Sequence, residues 1–347
     1  MSIRVIDAGR VSGVRSQTIY HGLAKTFTKG SPDTIVLVTP EDPYFSIGFF
    51  QDVDHELDVA YCRDNNIPIV RRETGGGAVY LDQNQLFIQW IFHRESLPVK
   101  IGERYRHFIQ PILDTYRRIG IQAAYHPVND IHVRDRKIAG LGSAQIGEAQ
   151  VVTGNFILDF DFHTMLKAMN IQDPMLKQNT MRDMKAYLTT IKQELDFVPP
   201  VADLKIMYLQ QCRKWLQKRL FLDRFSEHEY KIFEELDVKM TRDKWLFLNQ
   251  SQLNHKMIKI HAGVWLGMVP IEGESFEFEI KFGKLTYLYS KARSEAIHAF
   301  KDMDLSPEGI QNRLQRVYEK EAFLKGESAS YWENILMEIN ALKSKYA

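Results

Sequence analysis

The sequence predicts an α+β fold in two parts: a large domain of mixed β-sheets flanked by helices, then a small C-terminal α+β domain. Three observations predict it. The first third mixes short β-branched runs with helical stripes. Residues 163–237 are mainly helical in pattern. After a polar stretch of Asn, Gln and Ser at residues 249–254 the pattern changes to alternating strands and then helices. At 347 residues the chain is too long for one typical domain, so the boundary is drawn in that polar stretch, giving domains 1–248 and 255–347.

Taken in order, residues 34–38 form a β-branched run that reads as a buried strand, and residues 45–49 read as the next strand. Asp52 is placed to cap a helix with Val53, Leu57, Ala60 and Cys62 facing inward. Residues 68–71 form a strand that runs into a glycine triplet. Leu86, Ile88, Trp90 and Phe92 alternate with Phe87, Gln89 and Ile91, as in a strand covered on both faces. Phe108, Ile109, Ile112, Leu113 and Tyr116 recur at helical spacing within residues 103–119. Residues 131–133 and 137–139 read as strands joined by a tight turn at Arg134-Asp135-Arg136, and residues 151–160 as another strand.

Ile206, Leu209, Leu216 and Leu220 are expected to form one core stripe. In the tail, Phe276, Phe278, Ile280 and Phe282 alternate with charged residues, and Gly283-Lys284 is expected to turn the chain into a strand over residues 285–289. Two helices follow, one capped at Ser306-Pro307 and one carrying Ile335, Ile339 and Leu342.

Composition narrows the function classes. Apolar residues make up 44% and charged residues 26%, ordinary for a soluble globular protein, and a net charge of +1 suggests neither a nucleic-acid surface nor a membrane polybasic patch. No apolar run approaches the roughly 20 residues of a membrane span. The first fifteen residues carry Arg4, Asp7, Arg10 and Arg15 and do not read as a signal peptide. Two cysteines, Cys62 and Cys212, sit in helical stretches without a CxxC pair, so a reducing cytoplasm and small core residues are expected.

Two motifs can carry chemistry. The first is Arg71-Arg72-Glu73-Thr74-Gly75-Gly76-Gly77-Ala78-Val79-Tyr80. Glycines let a backbone approach a ligand and point N–H groups at an anion, and arginine adds forked donors for carboxylate or phosphate. The same run also reads as a glycine-rich hairpin with solvated arginines. The second is Asp135 to Ala144, in which Lys137 leaves a tight turn towards a small-residue loop. A lysine so placed can offset charge developing at a phosphate, or can simply be a hairpin surface lysine. Asn129-Asp130 can bind adenine or a metal, or shape a turn. The chain has no P-loop, dinucleotide fingerprint, HExxH or GxSxG.

The glycine run, followed by Asn129-Asp130-Ile131, Arg136 to Gly140 and Ser143-Ala144-Gln145, resembles the lipoate–protein ligases of the biotin/lipoate protein ligase superfamily. Ile47-Gly48 with Gln51 resembles the family's first ligand-facing strand, and the tail resembles its accessory C-terminal domain. The resemblance implies that lipoate attacks the α-phosphorus of ATP, and that a lysine of a lipoyl-acceptor domain then takes the acyl group from lipoyl-AMP. It assigns ATP to Arg72, Gly77, Ala78, Val79, Tyr80 and Lys137, lipoate to Arg71, Gly75, Gly76 and Lys137, and magnesium to Asp130, with Lys137 catalytic. ATP, magnesium and lipoate or octanoate would be co-substrate, ion and substrate, with no tightly bound cofactor, nucleic acid or membrane partner.

The chain departs from many members at Leu81-Asp82, where they have His before the aspartate, at Leu141-Gly142, which looks like an insertion, and at Thr153-Gly154-Asn155. These departures imply a specialised acceptor. Three rivals share the motifs in part: an ATP-independent octanoyltransferase working through a thiolate, a biotin ligase, and a non-catalytic lipoyl-binding protein.

Overall fold

The computed structural model describes residues 2–127, 129–171, 173–248, 256–261, 263–290, 292–293, 299–320 and 328–346. The chain begins β1 (Ile3–Val11), α1 (Gly13–Lys25), β2 (Thr34–Pro40), β3 (Tyr44–Ile47), α2 (Val53–Glu56), α3 (Val59–Asp64), β4 (Ile69–Arg71), β5 (Val79–Leu81) and β6 (Gln85–His93). It continues with α4 (Ile101–Arg118), β7 (Ala124–His126), β8 (Asp130–Val133), β9 (Arg136–Ile146), β10 (Ala149–Ile157), α5 (Phe162–Ala168), α6 (Pro174–Tyr187) and α7 (Ile191–Leu195). Next come α8 (Val201–Leu216), β11 (Leu220–Leu222), α9 (Glu227–Thr241) and α10 (Asp243–Leu246). The last elements are β12 (Lys256–His261), β13 (Val264–Ile271), β14 (Glu274–Lys281), β15 (Lys284–Tyr289), β16 (Met303–Asp304), α11 (Pro307–Lys320) and α12 (Ala329–Tyr346). No helix among the described residues is long and apolar enough to cross a membrane.

The chain divides into two compact units, one of Met1–Val53, Asp58–Ala168 and Lys185–Asn249, the other of Asp54–Leu57, Met169–Met184 and Gln250–Ala347. The first is an α+β unit built on a mixed eight-stranded sheet, in the order β11-β1-β2-β6-β10-β9-β8-β7, with a small sheet β4-β3-β5 beside it. As the alternation predicts, β6 is covered on both faces. Leu86, Ile88, Trp90 and Phe92 join Phe108, Ile112 and Tyr116 of α4 and Tyr208 of α8. Phe87 and Ile91 join Ile19 and Tyr20 of α1 and Phe233 of α9 in a separate cluster. Each such side chain stabilises the fold by roughly 1.5–3 kcal/mol on burial.

Helix α1 has no apolar stripe for a sequence reading to find. It is buried nearly all round, so Ser16, Gln17, Thr18 and His21 lie inside with the apolar residues. Its start is set by Ser12, whose hydroxyl accepts the Arg15 N–H at 3.2 Å.

The second unit is a five-stranded antiparallel meander in chain order, β12 to β16, packed on α11 and α12. Phe276, Phe278 and Ile280 meet Trp332, Ile335 and Ile339 there. The unit also takes in residues 169–184: the Asp173 N–H donates to Glu277 Oε2 at 3.2 Å, Tyr287 donates to Asp173 Oδ1 at 3.0 Å, and Lys281 pairs with Asp183.

Four expectations shift. The helix expected from Asp52 is two short ones, because the chain breaks at Leu57, which bridges to Met169, and restarts with the Asp58 carboxylate accepting the Tyr61 N–H. The α8 stripe holds in part: Leu209, Leu216 and Leu220 pack at the edge of the core, Leu220 from β11, but Ile206 is 56% exposed and the fully buried face is Leu204, Tyr208, Gln211 and Cys212. The tail hairpin turns at Phe282-Gly283, one residue early, since both carry positive φ (48° and 85°) as a mirror-image two-residue turn demands. Phe282 therefore leaves the alternating core face and is 79% exposed. Leu141-Gly142 is neither loop nor bulge: β9 runs on through it, paired with Gly154 and Thr153 of β10. The polar stretch 249–254 lies outside the described residues.

Candidate active site

β4 delivers Arg71 and Arg72 to the glycine run, and strand alternation sends their side chains opposite ways. Arg71 is fully buried. Its Nη1 donates to the carbonyls of Gly48 (3.3 Å), Phe49 (2.7 Å) and Gln51 (2.6 Å), and its Nε and Nη2 donate to those of Trp245 and Leu246 in α10. Arg72 Nη1 donates to the Ser46 carbonyl at 2.7 Å, while its Nε and Nη2 reach the Gly75 carbonyl and Nη2 the Gly77 carbonyl at 2.7 Å. Both guanidiniums are thus spent on main chain. Arg71 fastens the segment after β3 to α10, and Arg72 wedges under the glycine loop. Burial pushes the pKa of each arginine down.

Gly75, Gly76 and Gly77 lie on the surface, Gly76 with φ +94°. The loop rests on Gly48, and the Phe49 N–H donates to the Thr74 carbonyl at 2.9 Å. Ala78 is half-buried and Val79 exposed, but the Tyr80 ring turns inward against Phe45 and Phe160.

Glu73 anchors the loop through residues that the motif search missed. Its Oε1 accepts from Lys25 of α1 and Lys239 of α9, both at 2.8 Å, and its N–H donates to His21 Nε2 at 3.1 Å. Burial alone would raise the Glu73 pKa, but the hydrogen bonds from Lys239 and Lys25 bring it below the usual range. No local signal marks this group, because its members come from three distant segments.

Lys137 stands at the start of β9, across a bulge from β8. Its Nζ lies 2.8 Å from Asp130 Oδ1. A Cβ on Gly140 would fall 3.0 Å from both Cε and Nζ of this lysine, so glycine leaves the space in which the side chain lies. Asp130 Oδ2 accepts from the Tyr187 hydroxyl at 3.1 Å. Asn129 is tied to Leu141, donating from Nδ2 to its carbonyl at 2.6 Å. Among the described residues no group of three or more His, Cys, Asp or Glu side chains is placed to hold a metal ion, so Asp130 offers a single carboxylate already engaged by Lys137 and Tyr187.

The two motifs are joined by a chain of side-chain amides. The Gly140 N–H donates to Asn155 Oδ1 at 3.2 Å, Asn155 Nδ2 to Gln85 Oε1 at 2.7 Å, and Gln85 Nε2 to the Tyr80 carbonyl at 3.1 Å. Three hydrogen bonds thus connect the lysine hairpin to the exit of the glycine loop. Chemically, the arrangement offers exposed glycine main chain to an anion and, on the lysine hairpin, the part-exposed amine of Lys137.

Comparison with known proteins identifies the fold and the family. A solved bi-partite lipoate protein ligase from Thermoplasma acidophilum, described with its E2 lipoyl domain, shares the fold: TM-score 0.64 at 20% identity, over 73% of this chain and 99% of that one. A lipoate–protein ligase of Streptococcus pyogenes is 28% identical over 44% of this chain, and the match spans 44% of that relative's length. The octanoyltransferase LipM of Geobacillus kaustophilus is 24% identical over 70% of this chain and 97% of its own. The family model of the lipoyl protein ligase A/B catalytic domain matches residues 17–213, a span that holds the glycine loop, the Lys137 hairpin and the amide chain between them; to that family the chain belongs.

Proposed function

We propose that the protein is an ATP-dependent lipoate–protein ligase, which activates lipoate or octanoate as the acyl-adenylate and transfers it to a specific lysine of a lipoyl-acceptor domain. The condition of the two cysteines carries this choice over a thiol-based transferase. Cys62 and Cys212 are both buried, and burial pushes each thiol up to about 12. A nucleophilic cysteine needs the opposite, a lowered pKa and access. Neither lies in the glycine loop or the Lys137 hairpin.

In the first step the carboxylate oxygen bonds to the α-phosphorus and pyrophosphate leaves. The exposed backbone of Gly75–Gly77 suits the anionic ligand, Arg72 fixes that backbone from beneath, and Lys137 offsets negative charge at the α-phosphate. In the second step the acceptor's lysine amine attacks the acyl carbonyl and AMP leaves. Magnesium would arrive with ATP and be held by its phosphates, because the Asp130 carboxylate is engaged by Lys137 and Tyr187. The T. acidophilum relative's lipoyl domain supports an acceptor of that class, and two free thiols suit the cytoplasm.

The test is lipoate-dependent exchange of labelled pyrophosphate into ATP, with magnesium and without acceptor. The match over 97% of LipM's length, at 24% identity, keeps one alternative in view, acyl transfer without ATP. No exchange with lipoate or octanoate, together with transfer from an acyl carrier that is lost in Cys62→Ser or Cys212→Ser, would establish that alternative instead. A non-catalytic binding protein would show neither reaction.

A further inference from the structure

In the resting protein the Lys137 amine is held by Asp130, Nζ to Oδ1 at 2.8 Å. To act on a substrate carboxylate or phosphate it must leave that partner. The Asp130 side chain is only 13% exposed and would keep the Tyr187 hydroxyl on Oδ2. Leaving a buried carboxylate short of a charged donor carries a desolvation penalty, and that penalty would add to the barrier of each turnover.

A second donor stands beside it. His132 lies two residues along β8, past the bulge, and its side chain is 93% buried. Its Nε2 has no hydrogen-bond partner among the described residues, which is uncommon for a buried nitrogen. That atom is 3.9 Å from Asp130 Oδ2, too far for a hydrogen bond, but a shift of about 1 Å would make one. The ring is held for such a shift rather than free to turn away. It stacks face to face on His126, with centroids 4.2 Å apart and planes 8° apart, and meets Tyr187 edge-on at 5.8 Å.

We infer that His132 is a positioning residue for the reaction: it takes over the Asp130 carboxylate when Lys137 swings to the substrate, and this role rests on the activation chemistry proposed above. The exchange is one of hydrogen bonds alone. Nζ–H···Oδ1 is given up and Nε2–H···Oδ2 is made, with the imidazole neutral throughout. The free-energy difference between resting and engaged Lys137 shrinks accordingly.

Two variants separate this role from packing. His132→Phe keeps the aromatic stack and removes the nitrogen, whereas His132→Gln gives up the ring and restores an N–H donor. In pyrophosphate exchange His132→Phe is expected to lower kcat about tenfold with KM for ATP and lipoate changed by less than about twofold, because the hydrogen bond forms only as Lys137 engages. His132→Gln should recover most of that loss. In a Lys137→Ala background His132→Phe should add nothing. A readout free of turnover is the imidazole nitrogen spectrum: a non-hydrolysable acyl-adenylate analogue should move the His132 Nε2 resonance to that of a hydrogen-bonded N–H. The inference is overturned if His132→Phe keeps wild-type kcat while Lys137→Ala is inactive, or if the bound analogue leaves the Nε2 resonance unmoved. Wild-type exchange in Lys137→Ala would overturn it as well, by removing the lysine that His132 is held to relieve, whereas no exchange in the unaltered protein would remove the proposed function beneath it.

Discussion

Gly48 and Gly76 touch so closely that a Cβ on Gly48 would lie 2.1 Å from the Gly76 carbonyl oxygen. The end of β3 is therefore the floor on which the glycine loop rests. Gly48→Ala has to lift that loop, since the neighbour it strikes is backbone and not a side chain that can swing aside. ATP affinity is expected to fall about tenfold or more, roughly 1.4 kcal/mol, and stability by about 1–3 kcal/mol from overpacking. Calorimetric titration with ATP, run beside a melting curve, checks both. Unchanged affinity would mean that the loop does not hold the nucleotide.

Lys137→Ala is expected to slow adenylate formation roughly 10²–10³-fold and to lower stability by about 1–3 kcal/mol, because it leaves the largely buried Asp130 carboxylate without its charged donor. Gly140→Ala should act in the same direction more mildly, by displacing the lysine tip without unfolding the hairpin. Turnover comparable to wild type in Lys137→Ala would sink its assignment.

His21 should make the fold acid-sensitive. Its Nδ1–H donates to the Gln17 carbonyl at 2.9 Å and its Nε2 accepts the Glu73 N–H, so the neutral ring is satisfied on both sides. Burial pushes its pKa from 6.5 down to about 4. The unfolded chain thus takes up the proton first. The stability this group supports is complete above about 6.5 and is lost as pH falls from there towards about 4, by on the order of 3 kcal/mol. Urea midpoints of the wild type and His21→Gln should converge on acidification; parallel curves would exonerate His21.

Cutting the chain at residue 254 should leave part of the second unit behind without its partners. Leu176 lines a cavity of about 240 Å³ with Ile258 and Leu266, and Asp173 and Asp183 bond to Glu277 and Lys281. The truncated protein is expected to be insoluble or to melt early until residues 169–184 are replaced by a short polar linker. In that form, activation from lipoate and ATP is expected to suffer more than transfer from preformed lipoyl-AMP. Equal effects on both reactions would refute that division.

What could be read in the sequence was what is periodic or local. The two-faced strand β6, the helix α4 and the tight turn at Arg134-Asp135 (Arg136 already pairs with Val133) announce themselves within a few residues, and so does the glycine triplet. Helix α1 stayed hidden because being covered on all sides removes the contrast between an apolar and a polar face. The direction of the arginines was equally hidden. A pair of guanidiniums beside glycines looks like a ligand clamp until the carbonyls of Gly48, Trp245 and Gly75 are seen to take their hydrogens. The Glu73 anchor and the Asn155 relay depend on segments that only the fold brings together.

Arg72 has a practical consequence at the bench. Among the described residues its guanidinium meets carbonyls and the Ser46 hydroxyl but makes no ion pair, so its positive charge stays uncancelled beneath the loop. Dense anions will be drawn to that spot whether or not they are substrates. Pyrophosphate or sulfate at millimolar levels should then raise the melting temperature by mass action where chloride does not. A preparation kept in phosphate would arrive with part of its loops filled, and nucleotide affinities measured in that buffer would come out too weak through competition alone.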